Sequence, residues 1–199
     1  MKSSLLFFSC FTAGILLGRI DHFPDGIING NFELYLLYFL IFLVGINIGG
    51  DTNILKKIIK VDLKYLLVPF LIIIGTFVGI GLTSVLVKDI SLMDALAVGA
   101  GFGYYSLSSV LITQLSGETL GVLALLTNII REVGTILFTP ILVKIFGKIS
   151  PIASGGATAM DTTLPVIQKY SGSKYAVIAL ISGIILSILV PVIVPLFIV

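Results

Sequence analysis

Long apolar runs alternate along the chain with short clusters of charge, and the clusters cut it into seven apolar segments. These cover about 3–18, 34–48, 66–87, 95–115, 120–143, 150–168 and 175–199. Each is long enough, or nearly so, to cross a hydrocarbon core of about 30 Å. None alternates polar with apolar residues as a barrel strand does, and backbone in lipid must satisfy its own hydrogen bonds, so helices are expected. The pattern predicts an all-α integral membrane protein, with residues 1–199 forming a single transmembrane domain.

Two segments are unlike plain spans. The fourth holds Gly99, Gly101 and Gly103, then Tyr104, Tyr105, Ser106, Ser108 and Ser109. The sixth holds Pro151, Gly155, Gly156, Thr158, Asp161, Thr162, Thr163 and Pro165. Inside a helix glycine costs about 1 kcal/mol against alanine and proline about 3. Both segments are therefore predicted to be broken or re-entrant, near Gly99 to Gly103 and near Gly155 to Ala159, and to pack against each other or against the fifth. Irregular backbone survives at membrane depth where it is buried in protein or lines a wet cavity, and secondary transporters bind their cargo at such breaks. Crossing and re-entry both stay open. The length of Ala95 to Leu115, at about 1.5 Å per residue, slightly favours crossing.

Composition agrees with the pattern: of 199 residues 57% are apolar and 11% charged, with a mean hydropathy of +1.18. A soluble domain carries about a quarter charged residues, so a soluble enzyme is excluded. A single cysteine, Cys10, and a single histidine, His22, exclude an internal disulfide and any Cys-rich or multi-histidine metal site, and no metal or cofactor is expected. A net charge of +2 does not suit nucleic acid. The first segment, led by Lys2, admits a signal-peptide reading, against which stands the lack of an A-x-A-like site before the acidic stretch. Cys10 inside that run reads as a small buried residue, and His22 beside Asp21 and Asp25 as a solvated one.

Lysine sets the expected orientation. Lys56, Lys57, Lys60 and Lys64 outnumber Asp51 and Asp62 in the connection before the third segment, which places the Lys56 to Lys64 loop in the cytoplasm of a cell-membrane protein. Lys169 and Lys174 then fall inside and Val199 outside. Lys144 and Lys148 fall outside if the fourth and fifth segments both cross, and inside if the fourth and sixth re-enter.

Among 12 basic and 10 acidic residues, Arg131, Glu132 and Asp161 sit well inside apolar segments. A mid-helix charge costs about 2.5 to 3.5 kcal/mol on insertion scales, so each is expected to face a partner, a cavity or a transport path. Arg131 and Glu132 point about 100° apart and cannot pair with each other along the helix. Asn128, Glu132, Thr135 and Thr139 share one face as a polar stripe, which suits either inter-helix glue or transport. Asp161, after Gly155, Gly156 and Thr158 and before Thr162 and Pro165, can cap a new half-helix or form a cation or proton site. Tyr104, Tyr105 and Ser106 supply hydrogen-bonding groups beside the first break, although a tyrosine pair also suits an interfacial anchor. No Ser/His or Cys/His pair lies in the apolar segments, and no enzyme is expected.

The stretches AVGAGFGYYSLSSVL from Ala97, Leu125 to Val143 with Asn128, Arg131 and Glu132, and GGATAMDTTLPVIQ from Gly155 to Gln168 resemble the LysO lysine exporter family. The last motif is the most specific. The resemblance covers nearly the whole chain, FLVGINIGG included, but matches the C-terminal two-thirds of longer members, which have three further N-terminal segments. It implies an inverted-repeat secondary transporter that exports L-lysine, or another small cationic amino acid such as thialysine, coupled to a proton or cation gradient. Asp161 and Glu132 would offset the ammonium charge, while half-helix N-termini and Arg131 would meet the carboxylate. Besides membrane lipid, the implied partner is a small separately encoded N-terminal-half protein or a second copy of the chain. The competing reading is a non-transporting scaffold subunit of a split transporter.

Overall fold

In a computed structural model of the chain, the described residues are Tyr35, Phe39, Phe42, 63–84, 86 and 90–198. By internal packing the chain divides into Met1–Phe42 and Leu43–Val199. In the first unit Tyr35, Phe39 and Phe42 are helical; the first apolar segment, most of the second and the Lys56 to Lys64 loop up to residue 62 lie outside the described residues.

Among the described residues all regular structure is helical: α1 (Leu63–Ser84), α2 (Leu92–Gly99), α3 (Tyr105–Ser116), α4 (Glu118–Phe146), α5 (Ser150–Gly155), α6 (Leu164–Ser171) and α7 (Ser173–Ile193). Short 3-10 turns cover Gly156–Met160 and Val194–Phe197. Among the described residues three stretches are long and apolar enough to cross a membrane: Tyr65–Ser84, Glu118–Phe146 and Ser173–Phe197. They correspond to the predicted third, fifth and seventh segments. Of the three, α7 is the most buried and forms the axis of the core. The outward faces of α1 and α4 are apolar, with Leu67, Leu71, Leu82, Ile130 and Leu137 exposed, as helices bathed in lipid require.

The fourth and sixth segments are each two short helices joined by a break, Ala100 to Tyr104 and Gly156 to Thr163. The first begins cleanly: Ser91 Oγ accepts from Asp94 N at 3.0 Å, a side-chain cap that starts α2, and Asp94 adds an acid to its first turn. Backbone termination of the arms follows from the glycines and prolines noted above, since Pro151 and Pro165 each open a helix where no N–H partner is needed.

Neither segment passes through the bundle. The Lys174 Nζ lies 5.6 Å over the ring of Tyr65, and Lys148 Nζ lies 5.9 Å over Tyr175, so α1 and α7 begin where α4 ends. At the opposite end α1 and α7 finish and α4 starts. Both α2 and α3 pack against the Val194–Phe197 turn at that opposite end. The α2–α3 pair is therefore a hairpin that leaves and returns to one end, and α5–α6, between Lys148 and Lys174, is a hairpin at the other. Length favoured crossing for the fourth segment. The break reverses the chain instead, because the densest packing of α3 is antiparallel against α4 through the short joint at Gly117.

Candidate functional site

The two hairpins meet at their tips. Ala157 N donates to Phe102 O at 2.8 Å, the bond that ties one break to the other. Such contact needs unusual backbone on both sides. Phe102 has φ +46 and Gly103 φ +100, and in the facing tip Gly156 has φ +64. A β-carbon on Gly156 would stand 2.1 Å from Phe102 O, so the close approach depends on glycine there. Phe102 is a non-glycine residue in left-handed conformation, which costs energy and persists only where its surroundings over-determine it. They do: the ring is buried, 5.6 Å from the ring of Phe77, which in turn lies 5.2 Å from Phe197.

Helix α4 runs past both tips and holds each with a different side chain. Asn128, 2% exposed, accepts from Gly103 N at 2.7 Å and donates to Ala124 O at 2.8 Å and Val98 O at 3.4 Å. It thus satisfies main-chain groups that the α2–α3 break leaves without helical partners. One turn on, Arg131 Nε donates to Ser154 O at 2.7 Å and Nη2 to Ala153 O at 3.1 Å, closing the C-terminal end of α5. Thr135 Oγ1 donates to Arg131 O at 2.8 Å and shares a 2.7 Å hydroxyl contact with Ser154 Oγ. Thr139 Oγ1 turns back to Thr135 O. The polar stripe on α4 is therefore mostly structural, with one exception.

That exception is Glu132. It lines a cavity of about 60 Å³ between the tips, together with Gly103, Tyr104, Tyr105 and Ser106 from the first hairpin, Ala157, Thr158, Met160, Asp161 and Thr162 from the second, and Ser187 from α7. Seven of the eleven expected site residues come together here: Asp161, Glu132, Thr158, Thr162, Tyr104, Tyr105 and Ser106. Asn128, Arg131, Gly155 and Gly156 do not line the cavity. They shape the tips around it. Ala157, Met160 and Ser187 were not expected from sequence; Ser187, one of two hydroxyls with Ser182 inside the long apolar run of α7, is the one that carried a visible signal. It is 1% exposed, and its hydroxyl meets the Met160 sulfur at 4.0 Å.

Asp161 does not cap α6 with its side chain. The carboxylate accepts from the N–H and hydroxyl of Thr162, its neighbour, while Leu164 N at the start of α6 is met by the Asp161 main-chain carbonyl at 3.2 Å. Thr163 stands at the N-cap position without a side-chain bond to the helix; its hydroxyl donates to Thr158 O at 3.0 Å within the tip. Two carboxylates from different elements, with no basic side chain among the lining residues, suit a cation. The N-terminus of α3 at Tyr104 to Ser106 lines the same cavity, with Tyr104 N and Tyr105 N already donating to Gly101 O and Gly103 O. Among the described residues no cluster of three or more His, Cys, Asp or Glu side chains is placed to hold a metal ion.

A family model described as "Lysine exporter LysO" matches residues 8–198. The chain belongs to the LysO lysine exporter family. It is 34% identical to "Lysine exporter LysO" of Escherichia coli K12 over 82% of this chain and 54% of that protein, so it spans about half the length of that relative. It is 32% identical to "Putative lysine exporter" of Haemophilus influenzae over 92% of both chains. No solved structure matches. Membership places the chain in a family of membrane transport proteins and not of enzymes. It also agrees with the apolar helices.

Proposed function

We propose that this chain exports L-lysine across the cell membrane as a secondary transporter, with the cavity between the two hairpin tips as its cargo site. One observation carries the reading: Glu132 of α4 and Asp161 of the second hairpin, the acidic residues set deepest in apolar sequence, line the same cavity. Lysine brings two ammonium groups and one carboxylate. The carboxylate pair offsets the ammonium charge, and the α3 N-terminus meets the carboxylate. A cavity of about 60 Å³ has room for several waters or one ammonium with its hydration, at about 10 to 15 Å³ each, so taking in a whole lysine requires the tips to part. Thialysine, with the same charges and nearly the same length, is accepted as well.

Orientation follows from the lysines. Lys148, Lys169 and Lys174 lie at the end where α1 and α7 begin, next to the lysine-rich connection in sequence, and that end faces the cytoplasm. Three crossings, α1, α4 and α7, then place Val199 outside. The α5–α6 hairpin re-enters from the cytoplasm and α2–α3 from the exterior, the arrangement expected of an alternating-access carrier driven by a proton or cation gradient. Partner requirements belong to the same reading: membrane lipid, and either a separately encoded N-terminal-half protein or a second copy.

The test is Asp161→Asn, which keeps shape and removes charge. At equal membrane abundance, lysine export from inverted-vesicle uptake is expected to fall at least about tenfold, equivalent to about 1.4 kcal/mol, and Glu132→Gln less severely. A scaffold subunit would leave export unchanged by either substitution, and that result would sink the transport reading.

A further inference from the structure

We infer that Arg131 is a positioning residue that acts on cargo through Asp161, and that it does not bind the cargo's carboxylate. The inference rests on the transport reading above and departs from the expectation that a membrane arginine near the site meets the substrate anion.

The guanidinium is already used. Its Nε and Nη2 donate to Ser154 O and Ala153 O, carbonyls in the last turn of α5. The last four carbonyls of a helix lack partners within it, and they carry the negative end of the helix dipole. α5 is six residues long, so most of its carbonyls are in this position. A guanidinium placed there is satisfied without a carboxylate, by charge-assisted bonds to main-chain oxygen. Among the described residues no carboxylate is within ion-pair reach of Arg131. Nor is Arg131 among the residues that line the cavity, whereas Glu132, the next residue and about 100° round the helix, is.

From the clamped end of α5 the path to the Asp161 carboxylate is short. Gly155 leads into Gly156 at φ +64, through the 3-10 turn Gly156–Met160, to Asp161. A β-carbon at Gly156 would stand 3.1 Å from Nη2, so the arginine also packs directly on the residue where the chain turns. The Thr135–Ser154 hydroxyl contact braces the same end. Releasing α5 moves the whole tip, Asp161 with it. Because the positive charge is turned toward backbone, the cavity keeps two carboxylates and no basic side chain in its wall. A cationic amino acid supplies the missing charge.

The deciding measurement compares L-lysine with cadaverine, the same diamine without the carboxylate, binding to the full chain purified in lipid nanodiscs. Arg131→Lys, which keeps charge but loses the two-pronged donor geometry, is expected to weaken both ligands by about the same factor, on the order of tenfold. Thr135→Val, which loosens the clamp without touching a charge, shifts both in the same direction by a smaller factor. In an Asp161→Asn background, Arg131→Lys is expected to cost less than about twofold further, because residues acting through one group are not additive. Loss of lysine binding with cadaverine spared would show that Arg131 holds the carboxylate and would overturn the inference. Equal additional loss with and without Asp161 would overturn it too, by showing a role only in folding. If the parent chain binds neither ligand, the transport reading falls and the inference with it.

Discussion

Phe102 and Ala157, 55 positions apart by their numbers, join two helical hairpins through one main-chain bond of 2.8 Å, Ala157 N to Phe102 O. The hairpins come from opposite ends of the bundle, so this contact is the floor of one half of the molecule and the ceiling of the other. The carboxylates of Glu132 and Asp161 line the cavity beside it. In the proposed transporter a path for cargo opens only if one tip withdraws from the other.

Gly156 is where that contact is least forgiving. With φ +64, and with Phe102 O 2.1 Å from the position of a β-carbon, Gly156→Ala forces either backbone strain or separation of the tips. A residue held in such a region costs about 1–3 kcal/mol before the clash is counted. Thermal unfolding in detergent is expected to show a clear drop in midpoint for Gly156→Ala. Gly134→Ala, on the open face of α4 with nothing within 4 Å, should be neutral or gain up to about 1 kcal/mol. Equal midpoints for the two variants would contradict the tip geometry.

Asn128 supports the other tip. Its substitution by leucine keeps the volume roughly and removes the acceptor for Gly103 N, leaving a buried N–H unpaired at a cost of about 1–3 kcal/mol. Local opening is expected before global unfolding: amide hydrogen exchange over the 100–106 peptide should speed up while α7 stays protected. Unchanged exchange there would mean that the break is held by its own turns alone.

The hairpin topology predicts a labelling pattern. In a Cys10→Ser background, single cysteines replacing Ser91 and Ser116, at the two feet of α2–α3, should react with an impermeant maleimide from one side of the membrane. Cysteines replacing Lys148 and Lys174, at the two feet of α5–α6, should react only from the other. Labelling of Ser91→Cys and Ser116→Cys from opposite sides would require the fourth segment to cross.

The positions of the three described spans, the two breaks and the deep charges were legible in the sequence because each is a local property. Apolar length, glycine and proline density and an unscreened charge in lipid act on the residues that carry them, whatever lies elsewhere. For the same reason Glu132 and Asp161 stood out, and so did the breaks at Gly99 to Gly103 and Gly155 to Ala159. What happens after a break is not local. At Phe102 and Gly103 the chain turns back instead of continuing, because α3 packs along α4 and both arms pack on Val194–Phe197, some 90 residues downstream. Arg131 shows the same division: its cost in lipid is evident from its place in the segment, but a guanidinium can meet a substrate anion or backbone carbonyls equally well. Only the packing of α5 against α4 brings Ser154 O and Ala153 O within reach of it. Ser187 enters the cavity for a like reason, since tertiary packing alone determines which face of the apolar helix α7 meets the tips.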